Sequence, residues 1–424
     1  MHLMESSASG SGAADVAVVG AGPAGLMAAI AAAQRGRRVL VLEQLQAPGR
    51  KLLVTGGGRC NLANTLPAEE FMARFGRQGR FMQTALAAMD GDGLRRFFDA
   101  LGVPTHAPDG VHVYPASEKA ADVLDALRRR MKTLGVVVRA RVRATGLAIG
   151  NGTLQGLETD RGPVAARHVV VATGGRGYPA LGATGSGYAL ARQAGHTIVE
   201  PTPALVPLVT RQTWPAECAG VALPAARVRI DLPRQPKAGR AGDVLLTHTG
   251  LSGPAVLDLS GDVAAMLARR PAVPLRLDLV PGTAHEEWVR RFDRWQESDG
   301  AKTLGTLLGR HVPRSLARVL CRLAGIDPGW RPGRLTRPLR RAIADLLTAL
   351  PLTVTGTEGW DRAMVTRGGV ALKEVDPATL ESRRLPGLAF AGEILDLDGP
   401  SGGFNLQWAF ASGHLAGQAT ARNV

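Results

Sequence analysis

The sequence predicts an α/β protein built around one dinucleotide-binding βαβ unit and interrupted by an all-β segment that carries helices. One observation is the run from Asp15 to Glu43: an apolar β-branched stretch, a glycine-rich turn, an alanine-rich segment of helix length, a glycine stop and a second apolar stretch. Another is His168-Val-Val-Val-Ala-Thr173, an uninterrupted apolar strand ending in Gly174-Gly175, as in a parallel sheet buried on both faces. The third is a change near residue 205 to short strands broken by Pro and Gly.

In the first run, Gly20 permits a tight turn, Gly22 lets backbone approach a pyrophosphate, and Gly25 lets helix and strand pack closely. The helix N-terminus supplies unpaired N–H groups and a partial positive charge. Glu43, at the end of the second strand, sits where a carboxylate takes both ribose hydroxyls of an adenosine. Residues 16–33 carry no charge, which would also suit a membrane span or signal peptide, but three glycines and Pro23 in the middle call for a turn.

Residues 1–14 are small, polar and aperiodic, and read as a disordered leader. After Glu43 comes Gly49-Arg50-Lys51, then Gly56-Gly57-Gly58-Arg59-Cys60-Asn61. Three glycines flanked by cations and an amide bring backbone N–H groups against a polar ligand, or else form a flexible loop. Phe81 to Leu101 reads as one amphipathic helix, Val111 to Pro115 as a strand, and Ser117 to Leu127 as a helix capped by Ser117. Val136 to Val142 and Gly146 to Leu157 read as sheet strands.

Residues 205–280 are all-β in pattern, including Ala226 to Leu232 and the polar turn Thr247-His248-Thr249-Gly250. Helices follow over Glu286–Trp295, Thr303–Leu308, Pro313–Ala324 and Arg340–Leu350. In the third, Leu316, Val319, Leu320 and Leu323 form the stripe to be buried, while Arg314, Arg318 and Arg322 recur on another face, either solvated or binding a polyanion. Finally, Leu388 to Glu393 is a strand ending on an acid, and Gly402-Gly403 stands before a helix, offering amides and a dipole to negative charge.

With 424 residues the chain can bury a large core and divides into two or three domains. Cys60, Cys218 and Cys321 are far apart, so neither a disulfide framework nor a zinc site is indicated and a reducing cytoplasm is expected. The net charge is +15, and Lys302 to Arg341 concentrates the excess, with Asp327 its lone acid.

Val19-Gly-Ala-Gly-Pro-Ala-Gly25, Gly49-Arg-Lys51, Gly56-Gly-Gly-Arg-Cys-Asn61, Ala172-Thr-Gly-Gly175, Thr247-His-Thr-Gly-Leu-Ser-Gly-Pro254, Arg367-Gly-Gly-Val370, and Gly392-Glu393 followed by Gly402-Gly-Phe-Asn-Leu-Gln-Trp408 make the chain recognisable. Over residues 15–420 it resembles the bacterial YhiN/BaiN-type flavoproteins, NAD(P)/FAD-dependent oxidoreductases. The resemblance implies a glutathione-reductase-like FAD domain over 15–204 and 365–424. It also implies a β-barrel insert over 205–284 and 351–364, and a helical subdomain over 285–350. It implies that FAD lays its pyrophosphate on Gly20, Gly22, Pro23, Ala24 and Gly25, with its adenosine ribose on Glu43. Gln44, Arg50, Lys51, Val142, Ala172, Thr173, Gly174, Gly392, Glu393 and Gly402 would also bind the cofactor. Its isoalloxazine would lie near Gly57, Gly58, Arg59, Cys60 and Asn61 and near Gly403, Phe404 and Asn405. Many members carry Tyr where this chain has Phe404, so no phenol acts there.

One glycine fingerprint is present, so NAD(P)H would dock transiently over the flavin. The expected reaction is hydride transfer to a carbonyl-conjugated C=C, which leaves an enolate-like partner needing a proton. Cys60 and His248 are the candidate donors, against structural readings as a small buried residue and a turn histidine. Family resemblance points to uridine in ribosomal RNA, which the basic segment around Arg314, Arg318 and Arg322 would suit, or to a small enone. A flavin-binding redox sensor without turnover is the reading from another class.

Overall fold

A computed structural model describes residues 13–420; the expected leader lies outside the described residues but for Ala13 and Ala14. Two compact units divide the chain, one of residues 1–201 with 366–424 and one of 202–365.

The first unit is organised on a parallel sheet. Val137–Ala140, Val39–Glu43, Ala14–Val19, Val164–Val171 and Leu388–Phe390 lie side by side in that order. Val16 to Val18, Val41 and Val169 to Val171 are wholly buried, as expected of central strands in a parallel sheet covered on both faces. The segment Gly146 to Leu157 is a hairpin, Ala144–Gly150 against Thr153–Thr159. Asn151 (φ +53°) and Gly152 (φ +74°) make its turn, as the Asn-Gly pair favours. Two expectations need correcting. The helix expected over Phe81 to Leu101 is broken into Gln83–Ala88 and Gly91–Ala100, because the Asp90 carboxylate accepts from Gly93 N at 2.7 Å and restarts the helix. Ser117 is not a cap: the next helix, Ala120–Thr133, begins after Glu118, which adopts φ +53°.

The helix Pro23–Gln34 packs along the C-terminal helix Phe404–Ala419 through small residues. A Cβ on Gly413 would lie 2.2 Å from Ala24 O, and one on Gly417 2.3 Å from Ala28 O. The two backbones therefore touch with nothing between them.

The second unit is a closed barrel in the order Leu208–Thr210, Gly250–Ser252, Arg240–Leu246, Ala222–Ile230, Val273–Asp278, Leu350–Thr357, all neighbours antiparallel. Between the last two strands run the helices His285–Ser298, Leu304–Leu308, Arg314–Leu323 and Arg337–Ala349. Their buried faces share one core with the barrel: Trp288, Phe292, Leu316, Val319 and Leu320 join Val228, Leu275 and Val354. Leu323 does not belong to the stripe expected to be buried, being 45% exposed at the end of its helix. Among the described residues no helix is long and apolar enough to cross a membrane.

A buried polar cluster fastens the first unit near residue 200. Glu374 accepts from Thr197 N (2.7 Å), Thr197 Oγ1 (3.0 Å) and Arg384 Nη2 (2.9 Å), and His196 Nε2 lies 2.6 Å from Ser382 Oγ. The Thr197 amide, with Arg384 and the Thr197 hydroxyl, holds the Glu374 carboxyl down at about 2. A carboxyl that ionises more readily in the folded state contributes stability fully above the ordinary value of 4.5 and loses it as pH falls toward 2. Denaturant midpoints between pH 6 and pH 2.5 will therefore fall less steeply in Glu374→Gln than in the parent, and the variant will be less stable at neutral pH. Gly25→Ala places a Cβ 1.9 Å from Gly20 O. Such overpacking costs about 1–3 kcal/mol, read as a lower urea midpoint at unchanged slope.

Candidate active site

The residues of this site belong to the first unit, whereas His248, with Thr249 and Glu358, belongs to the second. Gly20 (φ +97°) follows the strand Ala14–Val19, and a Cβ on it would stand 2.7 Å from Ala172 O. Packing within the protein thus demands Gly20 and Gly25. Gly22 differs, because a Cβ there meets nothing within 4 Å. It opens on space in front of the helix Pro23–Gln34, whose N-cap is Gly22, with no side-chain cap and Pro23 in the first turn. The first amides of that helix and the positive end of its dipole face this space, as an anion requires.

At the end of the second strand the Glu43 side chain is only 8% exposed. Its Oε2 accepts from Ala21 N at 2.9 Å and its Oε1 from Leu45 N at 2.8 Å. A carboxylate has about four acceptor positions, so two remain for hydroxyl donors. Val142 N donates to Glu43 O at 3.0 Å, and Gln44 Nε2 donates to Gly182 O at 2.6 Å, so both fix the strand end.

The triple-glycine segment forms a left-handed coil: Gly56, Gly57 and Gly58 have φ of +57°, +67° and +90°, and Cys60 has +61°. Side chains other than glycine adopt such angles rarely, which explains the run. A Cβ on Gly57 would meet nothing within 4 Å. Arg50 and Arg59 are exposed, and the Arg59 guanidinium lies over the Tyr114 ring at 4.8 Å. Lys51 Nζ bonds Glu393 Oε2 at 2.9 Å, while Glu393 Oε1 accepts from Thr366 N at 3.0 Å. Gly175 is pressed against the same group, since a Cβ on it would lie 2.2 Å from Thr366 Oγ1. Its neighbour Gly174 (φ +71°) is open, and Thr173 Oγ1 stands where a Cβ on Gly187 would be 2.1 Å away. Gly392 N donates to Ser412 Oγ at 2.9 Å, and a Cβ on Gly392 would be 2.8 Å from Ala24 Cβ.

Asn61 ties this loop to the C-terminal glycine turn. With its amide oriented to satisfy both ends, it donates to Ala63 O and Val113 O and accepts from Gly403 N at 3.3 Å. Gly402 (φ +103°) and Gly403 (φ +88°) turn the chain into the helix Phe404–Ala419, which has no side-chain cap, so the amides of its first turn lack intrahelical partners. Phe404 packs against Phe71 and Phe75, with ring centroids 5.0 and 6.1 Å away. The Asn405 amide closes the preceding loop, accepting from Gly399 N and donating to Gly399 O and Pro400 O. Asn405 therefore shapes the turn with its side chain engaged internally.

The two candidate proton donors differ. Cys60 is wholly buried, and burial pushes its thiol up to about 12, so it is protonated at neutral pH but enclosed. His248 is exposed on the turn Thr247–Thr249 of the second unit, where Thr249 Oγ1 donates to Glu358 Oε1 at 2.6 Å. All three cysteines are free and buried. Among the described residues no group of three His, Cys, Asp or Glu is arranged to hold a metal.

Sequence reasoning missed His112. It lies in the strand His112–Pro115, with Nδ1 hydrogen-bonded to the Asp109 carboxylate and Nε2 facing Gly402. The Asp109-Gly110 turn dipeptide just before a histidine was the available signal.

This open space, buried carboxylate and pair of uncapped helix starts fit FAD, and comparison with known proteins agrees. The family model HI0933-like protein Rossmann domain matches residues 14–419. The chain is 35% identical over 412 residues to the 3-dehydro-bile acid delta(4,6)-reductase of Clostridium scindens, covering 96% of this chain and 98% of that protein. It is 31% identical over 407 residues to the ribosomal RNA dihydrouridine synthase of Escherichia coli, covering 95% and 97%. Among solved structures, the 3-ketosteroid-delta4-(5alpha)-dehydrogenase from Rhodococcus jostii RHA1 shares the fold, with a TM-score of 0.52 at 17% identity over 97% of each chain. The chain belongs to the HI0933-like family and is an FAD-dependent oxidoreductase of the YhiN/BaiN type.

Proposed function

We propose that the enzyme takes hydride from NAD(P)H, adds it to a C=C conjugated with a carbonyl, and uses uridine in ribosomal RNA as its substrate. The chemistry is common to the two relatives, whose names denote reduction of a double bond beside the 3-oxo group of a bile acid or beside the C4 carbonyl of uracil. The observation that carries the RNA reading is the basic face of the helical segment. Arg314 and Arg318 are exposed one turn apart on the helix Arg314–Leu323 and have no ion-pair partner among the described residues. Arg331, Arg337 and Arg341 add exposed cations nearby in the sequence. Such guanidinium groups neutralise phosphates and stack on bases. Arg322 stands apart from this row, because it is bound bidentately to Glu217 at 2.6 and 2.9 Å.

FAD, once bound, supplies the hydride chemistry. Gly20 to Gly25 and the first amides of the helix Pro23–Gln34 would hold its pyrophosphate, and Glu43 its ribose hydroxyls. Lys51 and Glu393, joined to each other, would present one cation and one acceptor along the cofactor. The amides at Phe404 and after it would favour negative charge at the ring's N1–C2=O edge. Cys60, enclosed and protonated, would serve as donor only with its loop opened; His248 stands exposed on its turn in the second unit. Three buried free thiols suit a reducing cytoplasm.

A small enone is the second reading, favoured by the higher identity to the bile-acid reductase. Mixing NAD(P)H anaerobically with the purified enzyme is expected to bleach its flavin, and substrate to restore the colour; a flavin that stays oxidised would mean a protein without this turnover. Deleting the protein from its host is expected to remove a dihydrouridine from ribosomal RNA by mass spectrometry, whereas an intact profile favours the enone. Arg314→Ala with Arg318→Ala should lower RNA affinity and flatten its log–log salt dependence by roughly one unit per arginine. Arg322→Ala should leave that slope unchanged.

A further inference from the structure

We infer that His112, held by Asp109, is a titratable charge built into the cofactor site, and that its imidazolium form stabilises the negatively charged reduced cofactor held against the Gly402–Gly403 turn. This rests on the flavin reading above. Asp109 is fixed before it meets the histidine, because its Oδ1 accepts from Val111 N at 2.9 Å and His112 N at 2.8 Å. Its Oδ2 takes the Nδ1 proton of His112. That leaves Nε2 as the free nitrogen, an acceptor when the ring is neutral and a donor when it is charged. Nε2 points at the turn: a Cβ on Gly402 would lie 2.8 Å from it, so only glycine lets the imidazole reach the backbone there.

The same turn starts the helix Phe404–Ala419, so the imidazole and the helix's positive end are close to one another. Two positive sources converging on one place ask for an anion. His112 is 38% exposed, which keeps its ring in exchange with solvent protons. The paired strand Ala63–Asn64 and the turn Ser401–Gly403 carry no ionisable side chain. On the other flank His106 and Glu118 engage each other at 3.4 Å. Asp109 is thus the charged group facing His112, and the pair with its backbone amides holds the Asp109 carboxyl well below its usual range.

Hydride delivered by a dihydronicotinamide brings two electrons and one proton to an oxidised flavin, and leaves one negative charge on the reduced ring when no second proton follows. An imidazolium nearby favours that charge, and by reciprocity the charge favours the imidazolium. Reduction therefore draws one further proton onto His112 over the pH window between its two affinities. The midpoint potential then falls more steeply with pH inside that window than outside it.

The experiment is dye-mediated redox titration of the FAD-loaded enzyme from pH 5 to pH 9, for the parent, His112→Gln and Asp109→Asn. His112→Gln is expected to show a more negative potential in acid that converges with the parent in alkali. Asp109→Asn, which weakens the proton's hold, is expected to move the inflection to lower pH. Superimposed curves for flavin-loaded parent and His112→Gln overturn the inference while leaving the flavoenzyme reading intact; a parent chain that takes up no FAD overturns both. If His112→Gln fails to retain flavin, Asp109→Asn decides: an unmoved inflection overturns the inference and a displaced one supports it.

Discussion

The contact between the helix Pro23–Gln34 and the C-terminal helix Phe404–Ala419 is the constraint on which the first unit depends. Gly413 and Gly417 lie against the carbonyls of Ala24 and Ala28, so the two helices run in the same direction at backbone contact. From Ala24 back to Pro23 is one residue, and from Gly413 back to Phe404 is nine. At 1.5 Å per residue the two uncapped N-termini are staggered by roughly 12 Å along a common direction. One start faces the space beside Gly22 and the other follows the Gly402–Gly403 turn. An extended dinucleotide needs such an arrangement, with amides for its phosphates at one station and for a ring edge at a later one. Any side chain at Gly413 or Gly417 would separate the helices and lose the stagger.

Much of this was legible in the sequence because the constraints are steric and local. A βαβ crossover with three glycines states its own turn, close approach and packing, and Glu43 follows from where the second strand ends. At Gly56 to Gly58 the sequence leaves a ligand-facing turn and a flexible loop both open, and the succession of positive φ angles in the fold explains why glycine stands there. What escaped depended on partners far away in sequence. Arg322 looks like its neighbours Arg314 and Arg318 until Glu217, 105 residues earlier, takes it in a bidentate pair. Leu323 continues an apolar pattern at a helix end that the core does not reach. His112 has an ordinary strand context, and only the folded turn at Gly402 gives its Nε2 something to face.

The cysteines show how burial sorts side chains that look equivalent in a sequence. Cys60 sits inside the most glycine-rich loop of the site, yet its thiol is enclosed and pushed up to about 12. Its φ of +61° is a conformation the loop imposes and a β-branched residue would resist. The same loop sends Asn61 across to Gly403 and Arg59 outward over Tyr114. One short segment thus places a solvent-facing cation, a packed thiol and an amide clasp on successive residues, because the backbone switches from right-handed at Arg59 to φ +61° at Cys60.

Charge is distributed by the same logic of access. The excess behind the +15 balance is not spread evenly, and where carboxylates stand close they consume it: Asp299 takes Lys302 and Arg310, Glu217 takes Arg322, and Asp293 takes Arg340. The arginines left over are the ones a polyanion can meet, so the count that matters for binding is smaller than the composition suggests. Around the glycine turns of the first unit two groups are likewise fixed by acids: the Lys51 ammonium is locked to Glu393, and the His112 ring to Asp109. A cation so held has given up side-chain freedom before any ligand arrives, and it can offset a charge that develops later without reorganising. Loose charge on the helical segment therefore suits capture of a substrate, and fixed charge around the glycine turn suits a change of charge on a bound cofactor.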